Sequence, residues 1–221
     1  EKSRKESGNL PLFYTEWNPT FLLDEPYAAA ALIKTIADNH GLVDVYSHWT
    51  FSDIFEEWPF KSIPFHDGFG LLNIHGIPKP AYRAYELLHK TGKERIPVQV
   101  QNDSTVEVLA TKSNNELKVV FYNHNTPDAS IKEESVKLYI KGARPLTGLC
   151  QIERIDENSA NPKKRWIEMG KPEYIKKDEL KDLMAASEMH KESLQLTYEE
   201  EDVCIKLNVQ PHSVLAVTIA F

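Results

Sequence analysis

The chain has 221 residues, 41% hydrophobic, 27% charged and 10% aromatic, a composition that supports a packed globular core and excludes a disordered or fibrous chain. Its net charge of −7 divides into −3 over residues 1–95 and −4 over the remainder. No basic stripe is available to neutralise phosphates, which excludes nucleic acid and anionic membranes as partners.

In chain order, no apolar run approaches the ~18 residues of a membrane span, and the polar start EKSRKESGN lacks a secretory signal's apolar stretch. The expectation is a soluble chain. From residue 10 to 92, short apolar runs alternate with helical periodicity, the pattern of β/α units and a parallel sheet. Residues 10–15 (LPLFYT) read as a buried strand. Residues 27–39 carry Ala29, Leu32, Ile33 and Ile36 at helical spacing and end at Asn39-His40-Gly41, a left-handed cap. Residues 43–50 (VDVYSHWT) form the next strand candidate. Pro80 then opens a helix with Ala81, Ala84, Tyr85 and Leu88 as its stripe, ending at Gly92. Two β/α units are therefore predicted.

Beyond residue 95 the pattern changes to short, mostly alternating runs at 98–101, 106–111, 117–123, 136–140, 148–155, 194–198, 203–209 and 214–219. Strands at this spacing predict a β-sandwich. Residues 156–192 interrupt them with a charged excursion and a predicted helix over 178–190, its buried stripe being Leu180, Leu183 and Met184. The domain boundary falls near residues 92–97, giving units of 1–95 and 96–221.

Three stretches can carry chemistry. The first strand ends in Tyr14-Thr15-Glu16-Trp17-Asn18, and parallel α/β folds place reacting groups at the C-terminal tips of strands. Glu16 reads either as such a group or as a carboxylate that caps the next loop or pairs with a surface lysine. The second strand runs into Trp49, Phe51, Asp53, Phe55, Glu56, Glu57 and Trp58. Rings that stack on the C–H faces of a pyranose, beside carboxylates that accept from its hydroxyls, suit a sugar; aromatic core packing is the competing explanation. The glycine-rich stretch 65–72 holds His66, a substrate donor or a hydrogen-bonded structural histidine.

The sequences FYTEWN, HWTFSDIFEE, PFHDGFGLLNIHGIPKPAYRAYELLHKTG and RIDENSANPKKRWIEMGKPEY resemble glycoside hydrolase family 39, which includes bacterial β-xylosidases and lysosomal α-L-iduronidases. The likeness runs from residue 10 to about 221, and its wording is closer to the β-xylosidases. It implies the last two β/α units of a (β/α)8 TIM barrel, strands seven and eight, followed by a C-terminal β-sandwich. It implies that Glu16, in Thr15-Glu16-Trp17-Asn18, is the nucleophile of a retaining hydrolase, and that Trp49, Glu56 and Glu57 line the sugar pocket; Asn18 and His66 are read from the sequence as further substrate-binding residues. Trp49 would lie under the ring and Glu56 would hold its hydroxyls. Where the family commonly has a tyrosine after the nucleophile motif, this chain has Phe21, which removes one polar contact at the pocket mouth.

The family's acid/base glutamate lies in an Asn-Glu-Pro motif on the fourth barrel strand, and no Asn-Glu-Pro occurs in these 221 residues. The expectation is the C-terminal portion of a β-xylosidase, nearly inert by itself, with the N-terminal part of the barrel as its partner in the same or a separate chain. A second reading is a non-catalytic carbohydrate-binding or interaction module. An α-L-iduronidase-like specificity would need a basic group for a uronic carboxylate, and the matched region has none beside Trp49 or Glu56. The excursion at 156–192 suits either a subunit contact in a homo-oligomer or a solvated loop. No cofactor or metal is expected, since His48, His66 and His75 share no ligand spacing. Cys150 and Cys204 read as packed thiols of a chain in a reducing cytosol.

Overall fold

A computed structural model describes residues 1–55, 61–101, 103–142 and 148–220. In chain order the elements are α1 (Lys2–Ser7), β1 (Phe13–Trp17), α2 (Pro26–Asp38), β2 (Val45–His48), α3 (Pro80–His89), β3 (Glu94–Ile96), β4 (Val106–Lys112) and β5 (Glu116–Asn123). Then follow β6 (Glu134–Ile140), β7 (Leu149–Ile155), α4 (Pro162–Glu168), α5 (Lys177–Ala186), β8 (His190–Gln195), β9 (Thr197–Glu199), β10 (Asp202–Val209) and β11 (Ser213–Ala220).

β1 and β2 pair in parallel, Phe13 opposite Val45 and Tyr14 opposite Tyr46, and the register shifts before Trp17 meets His48. The helices after them start on prolines, whose fixed φ suits a first turn and whose missing N–H costs no helical bond there. After α2 the chain reverses through Gly41, whose φ of 78° is the left-handed conformation that the end of this helix requires. The periodicity of α2 predicts one packed face, yet Ala28, Ala29, Ala30, Ala31, Leu32 and Ile33 are all buried. Alanine's small side chain lets neighbouring backbones approach on several sides at once.

All other named strands are antiparallel. Six form a sheet in the order β3-β4-β5-β11-β7-β8, and three form a second in the order β6-β10-β9. Alternation along β11 sends Leu215, Val217 and Ile219 toward Val203, Ile205 and Leu207 of β10. The other face carries Val214 and Ala216 into a cluster with Leu32 and Ile33 of α2 and Ala84 and Leu87 of α3. The six-stranded sheet is thus the middle layer of three.

Four local expectations are corrected. Residues 10–15 do not form a buried strand: β1 starts at Phe13, and Phe13 through Glu16 are exposed, because β2 is the only strand paired with β1 among the described residues. Residues 98–101 are not a strand; the sheet edge is β3, which stops before Pro97, a residue with no N–H for the ladder. The strand expected at 194–198 divides at the buried Leu196 into β8 and β9, which join different sheets. The helix expected over 178–190 ends at Ala186, beyond which Arg83 Nε donates to the carbonyl of Ser187 at 2.8 Å. Sequence reasoning also missed α4, although Asn161 caps it by accepting from Lys164 N at 3.1 Å and Pro162 follows at the first turn.

Candidate functional site

At the C-terminal ends of β1 and β2 the pleat sends neighbouring side chains to opposite faces. Trp17 turns toward the helices, packing against Tyr46 at 5.1 Å between ring centroids, with His48 edge-on to Tyr85 at 5.7 Å. Burial in this aromatic layer pushes the His48 imidazole down to about 4 and the Tyr85 hydroxyl up to about 12. Glu16, one residue before Trp17, is exposed. Immediately beyond, the Asn18 amide donates to the carbonyl of Trp49, and Trp49 N–H donates to the carbonyl of Trp17 at 3.0 Å. The Trp49 indole lies edge-on to Phe55 at 5.5 Å, and the peptide bond between Trp49 and Thr50 is cis.

Of the residues expected from the sequence, Glu16, Asn18 and Trp49 therefore meet at one end of the parallel pair. His66 sits in the following loop with its Nδ1 at 2.8 Å from the carbonyl of Ile63. Glu56 and Glu57 lie outside the described residues. Phe21 is 84% exposed on the β1–α2 loop. Among the described residues no group of three or more His, Cys, Asp or Glu side chains could hold a metal ion, and no helix is long and apolar enough to cross a membrane. A cleft of about 670 Å³ at the far end of α2, lined by Asp38, Arg95, Val98, Glu107 and Tyr122, includes none of the site residues.

Beneath the site lies a charge cluster that sequence reasoning missed. The segment after Trp49 pairs with a returning segment through Thr50 N to Phe69 O at 2.8 Å, Leu71 N to Thr50 O at 3.0 Å and Asp53 N to Leu72 O at 2.9 Å. Under that pairing, Lys79 Nζ contacts Asp24 Oδ1 at 2.7 Å, Asp53 Oδ2 at 2.8 Å and the carbonyl of Gly68 at 2.9 Å. All three charged side chains are 0% exposed. Burial raises the Asp53 carboxyl while Lys79 pulls it back. Gly70 N donates to Asp53 Oδ1 at 2.7 Å, and a Cβ on Gly70 would sit 2.3 Å from Asp53 N, so only glycine fits. The one sequence signal was Lys79 itself, a charge fixed between Pro78 and Pro80 at the start of a helix.

The excursion holds the same loop from outside. On α4, Lys163 reaches Glu25 at 3.0 Å and Asp67 at 3.3 Å, and Trp166 packs on Phe65 at 5.6 Å. Phe65, Ile77, Trp166 and Leu183 form a small separate core. Arg83 of α3 completes the attachment through Ser187 and Glu188.

Over residues 1–201 the chain matches the family described as glycosyl hydrolases family 39. It is 44% identical to a beta-xylosidase of Caldicellulosiruptor saccharolyticus across 99% of this chain and 46% of that protein. Among solved structures it is similar to the GH39 enzyme from Xanthomonas axonopodis pv. citri, with a TM-score of 0.80 and 23% identity over 96% of this chain and 45% of that one. It is also similar to a monomeric beta-xylosidase from Caulobacter crescentus CB15, with a TM-score of 0.79 and 24% identity over 99% of this chain and 48% of that one. The two structural likenesses carry the fold alone. The chain spans about half the length of the relatives it matches.

Proposed function

The chain belongs to glycosyl hydrolases family 39, and from that membership we propose that its 221 residues supply the nucleophile half of a retaining β-xylosidase site, releasing terminal xylose from short xylosides. In this reading residues 1–95 are the last two β/α units of a TIM barrel, and residues 96–221 are a β-sandwich with an excursion at 156–192. Glu16 attacks the anomeric carbon from the tip of β1. Asn18 and Trp49 form the floor beside it, and Glu56, Glu57 and His66 are the further contacts to the sugar hydroxyls.

The carrying observation is the exposed Glu16 at the C-terminal end of β1, followed in the chain by Trp17 and Asn18, whose carbonyl and amide bond the backbone of Trp49. Retention needs a second carboxyl about 5–5.5 Å from the first, to protonate the leaving oxygen and then activate water. We assign that group to barrel residues outside these 221, since the Asn-Glu-Pro motif is not among them. Without it, acid/base assistance of about 10²–10⁴-fold is lost, together with substrate positioning, and the chain alone is nearly inert. The exposed Phe13, Tyr14 and Val45 on the parallel pair support strands that continue a barrel on that side.

The test treats the parent-length protein with a fluorinated, mechanism-based xyloside and locates the label by peptide mass spectrometry. Label on Glu16 with burst release of the aglycone is expected. Label elsewhere, or no turnover of any xyloside, overturns the reading. The missing Asn-Glu-Pro favours one alternative, a non-catalytic carbohydrate-binding module; xylo-oligosaccharide binding by the parent without hydrolysis is the outcome that supports it.

A further inference from the structure

We propose that Lys79 is the positioning residue of the sugar site, its single ammonium fixing the separation of the three loops between which a terminal xylose ring is gripped; this rests on the β-xylosidase reading above. The ammonium touches all three: it donates to Asp53 Oδ1 and to the carbonyl of Gly68, both at 2.9 Å, and pairs by charge with Asp24 Oδ1 at 2.7 Å. Asp24 lies near the end of the β1–α2 loop that begins at Asn18. Asp53 lies four residues beyond Trp49. The carbonyl of Gly68 belongs to the segment that carries His66. The loops are also tied to one another. Asp67 N donates to Asp24 Oδ2 at 2.6 Å, Asp24 N donates to Asp67 Oδ1 at 3.1 Å, and Gly70 N donates to Asp53 at 2.7 Å.

Stability alone does not account for this arrangement. Two carboxyl groups and one amine without solvent contact carry a large desolvation cost, which commonly offsets their mutual attraction. A packed apolar trio would hold the loops together equally well, but not at one fixed spacing. Two directed donors at 2.9 Å and an ion pair at 2.7 Å fix that spacing. Lys79 also precedes Pro80 at the base of α3, which is itself packed against α2, so the ammonium is anchored to the rigid part of the fold. It touches no substrate; it acts through Asn18, Trp49 and His66.

The experiment compares the parent-length wild type with Lys79→Met, Asp53→Asn and, as a control for destabilisation, Leu215→Ala in the sheet core. Hydrolysis of an aryl xyloside gives kcat and KM separately, and melting temperature is recorded for each protein. A displacement of about 1 Å at a positioned substrate can cost ~10²-fold. Lys79→Met is therefore expected to lose about 100-fold in kcat/KM, and Asp53→Asn, which puts an amide donor against Lys79, about tenfold. In both, KM should rise, because misplaced loops lose contacts already made in the ground state. Leu215→Ala reduces only the folded fraction, so kcat falls and KM stays. Should Lys79→Met not fold, Asp53→Asn decides alone. The proposal is overturned if Asp53→Asn keeps KM within about twofold of wild type, or if Leu215→Ala raises KM as much. An inactive wild type, or label away from Glu16, instead removes the β-xylosidase reading, and this proposal falls with it.

Discussion

β1 and β11 are both short, apolar strands, and their surroundings are opposite. β11 has partners on both sides, β5 and β7, and Val214 through Val217 are buried on both faces. β1 pairs with β2 alone among the described residues and leaves Phe13 and Tyr14 exposed, as β2 leaves Val45. An apolar pattern reports the neighbours a strand has in its working assembly, and where those neighbours are not in view the same residues become an open, adhesive edge. Glu16 lies on the more exposed of the two strands.

The sharpest way to break the contrast is chemical. In the parent-length protein Glu16→Gln should lower kcat by about 10⁴-fold or more, as loss of a covalent nucleophile does, with xyloside turnover as the assay; retention of more than a few per cent of activity removes functional meaning from the open side. Next comes packing. Phe13→Ala should cost the parent about 3–5 kcal/mol in denaturant unfolding if barrel strands cover this ring, comparable to Leu215→Ala at about 2–5 kcal/mol. A cost below about 0.5 kcal/mol would show that the ring stays at the surface.

Titration probes the layer between the two regions. The His48 imidazole is held at about 4 in the fold, against an ordinary 6.5, so between those values the unfolded chain binds more protons and stability rises with pH. The contribution is complete above about 6.5 and is lost as pH falls toward 4, an effect of about 2–3 kcal/mol. Melting curves between pH 7 and 4.5 should show it, and His48→Gln should flatten the slope in part, since His124 is also held at about 4. The smallest effect is local. Arg83→Met leaves the carbonyl of Ser187 without its guanidinium partner, at about 1–3 kcal/mol, and hydrogen exchange should quicken in α5 while β11 stays protected.

Much of this was legible in the sequence because it depends on period. The α2 and α3 stripes, the parallel pair and most of the antiparallel strands follow from spacing and breakers. That Glu16, Asn18 and Trp49 lie at the C-terminal end of the parallel pair was legible, because they sit at strand ends in contiguous motifs. What stayed hidden depends on contacts distant in the chain. Asp24, Asp53 and Lys79 are 29 and 26 residues apart in succession, and nothing local marks them as partners. The division of residues 190–199 between two sheets turns on one buried leucine, Leu196, and the early end of α5 on an arginine about a hundred residues upstream.

The grip of α4 on Phe65 and Asp67 has an evolutionary corollary. Gene recombination that exchanged everything after α3 for the corresponding segment of a distant homologue would remove Lys163 from Glu25 and Asp67, and Trp166 from Phe65. A productive crossover must carry the loop that holds Phe65 and Asp67 together with its outer splint, which makes the inheritable cassette larger than either architectural half.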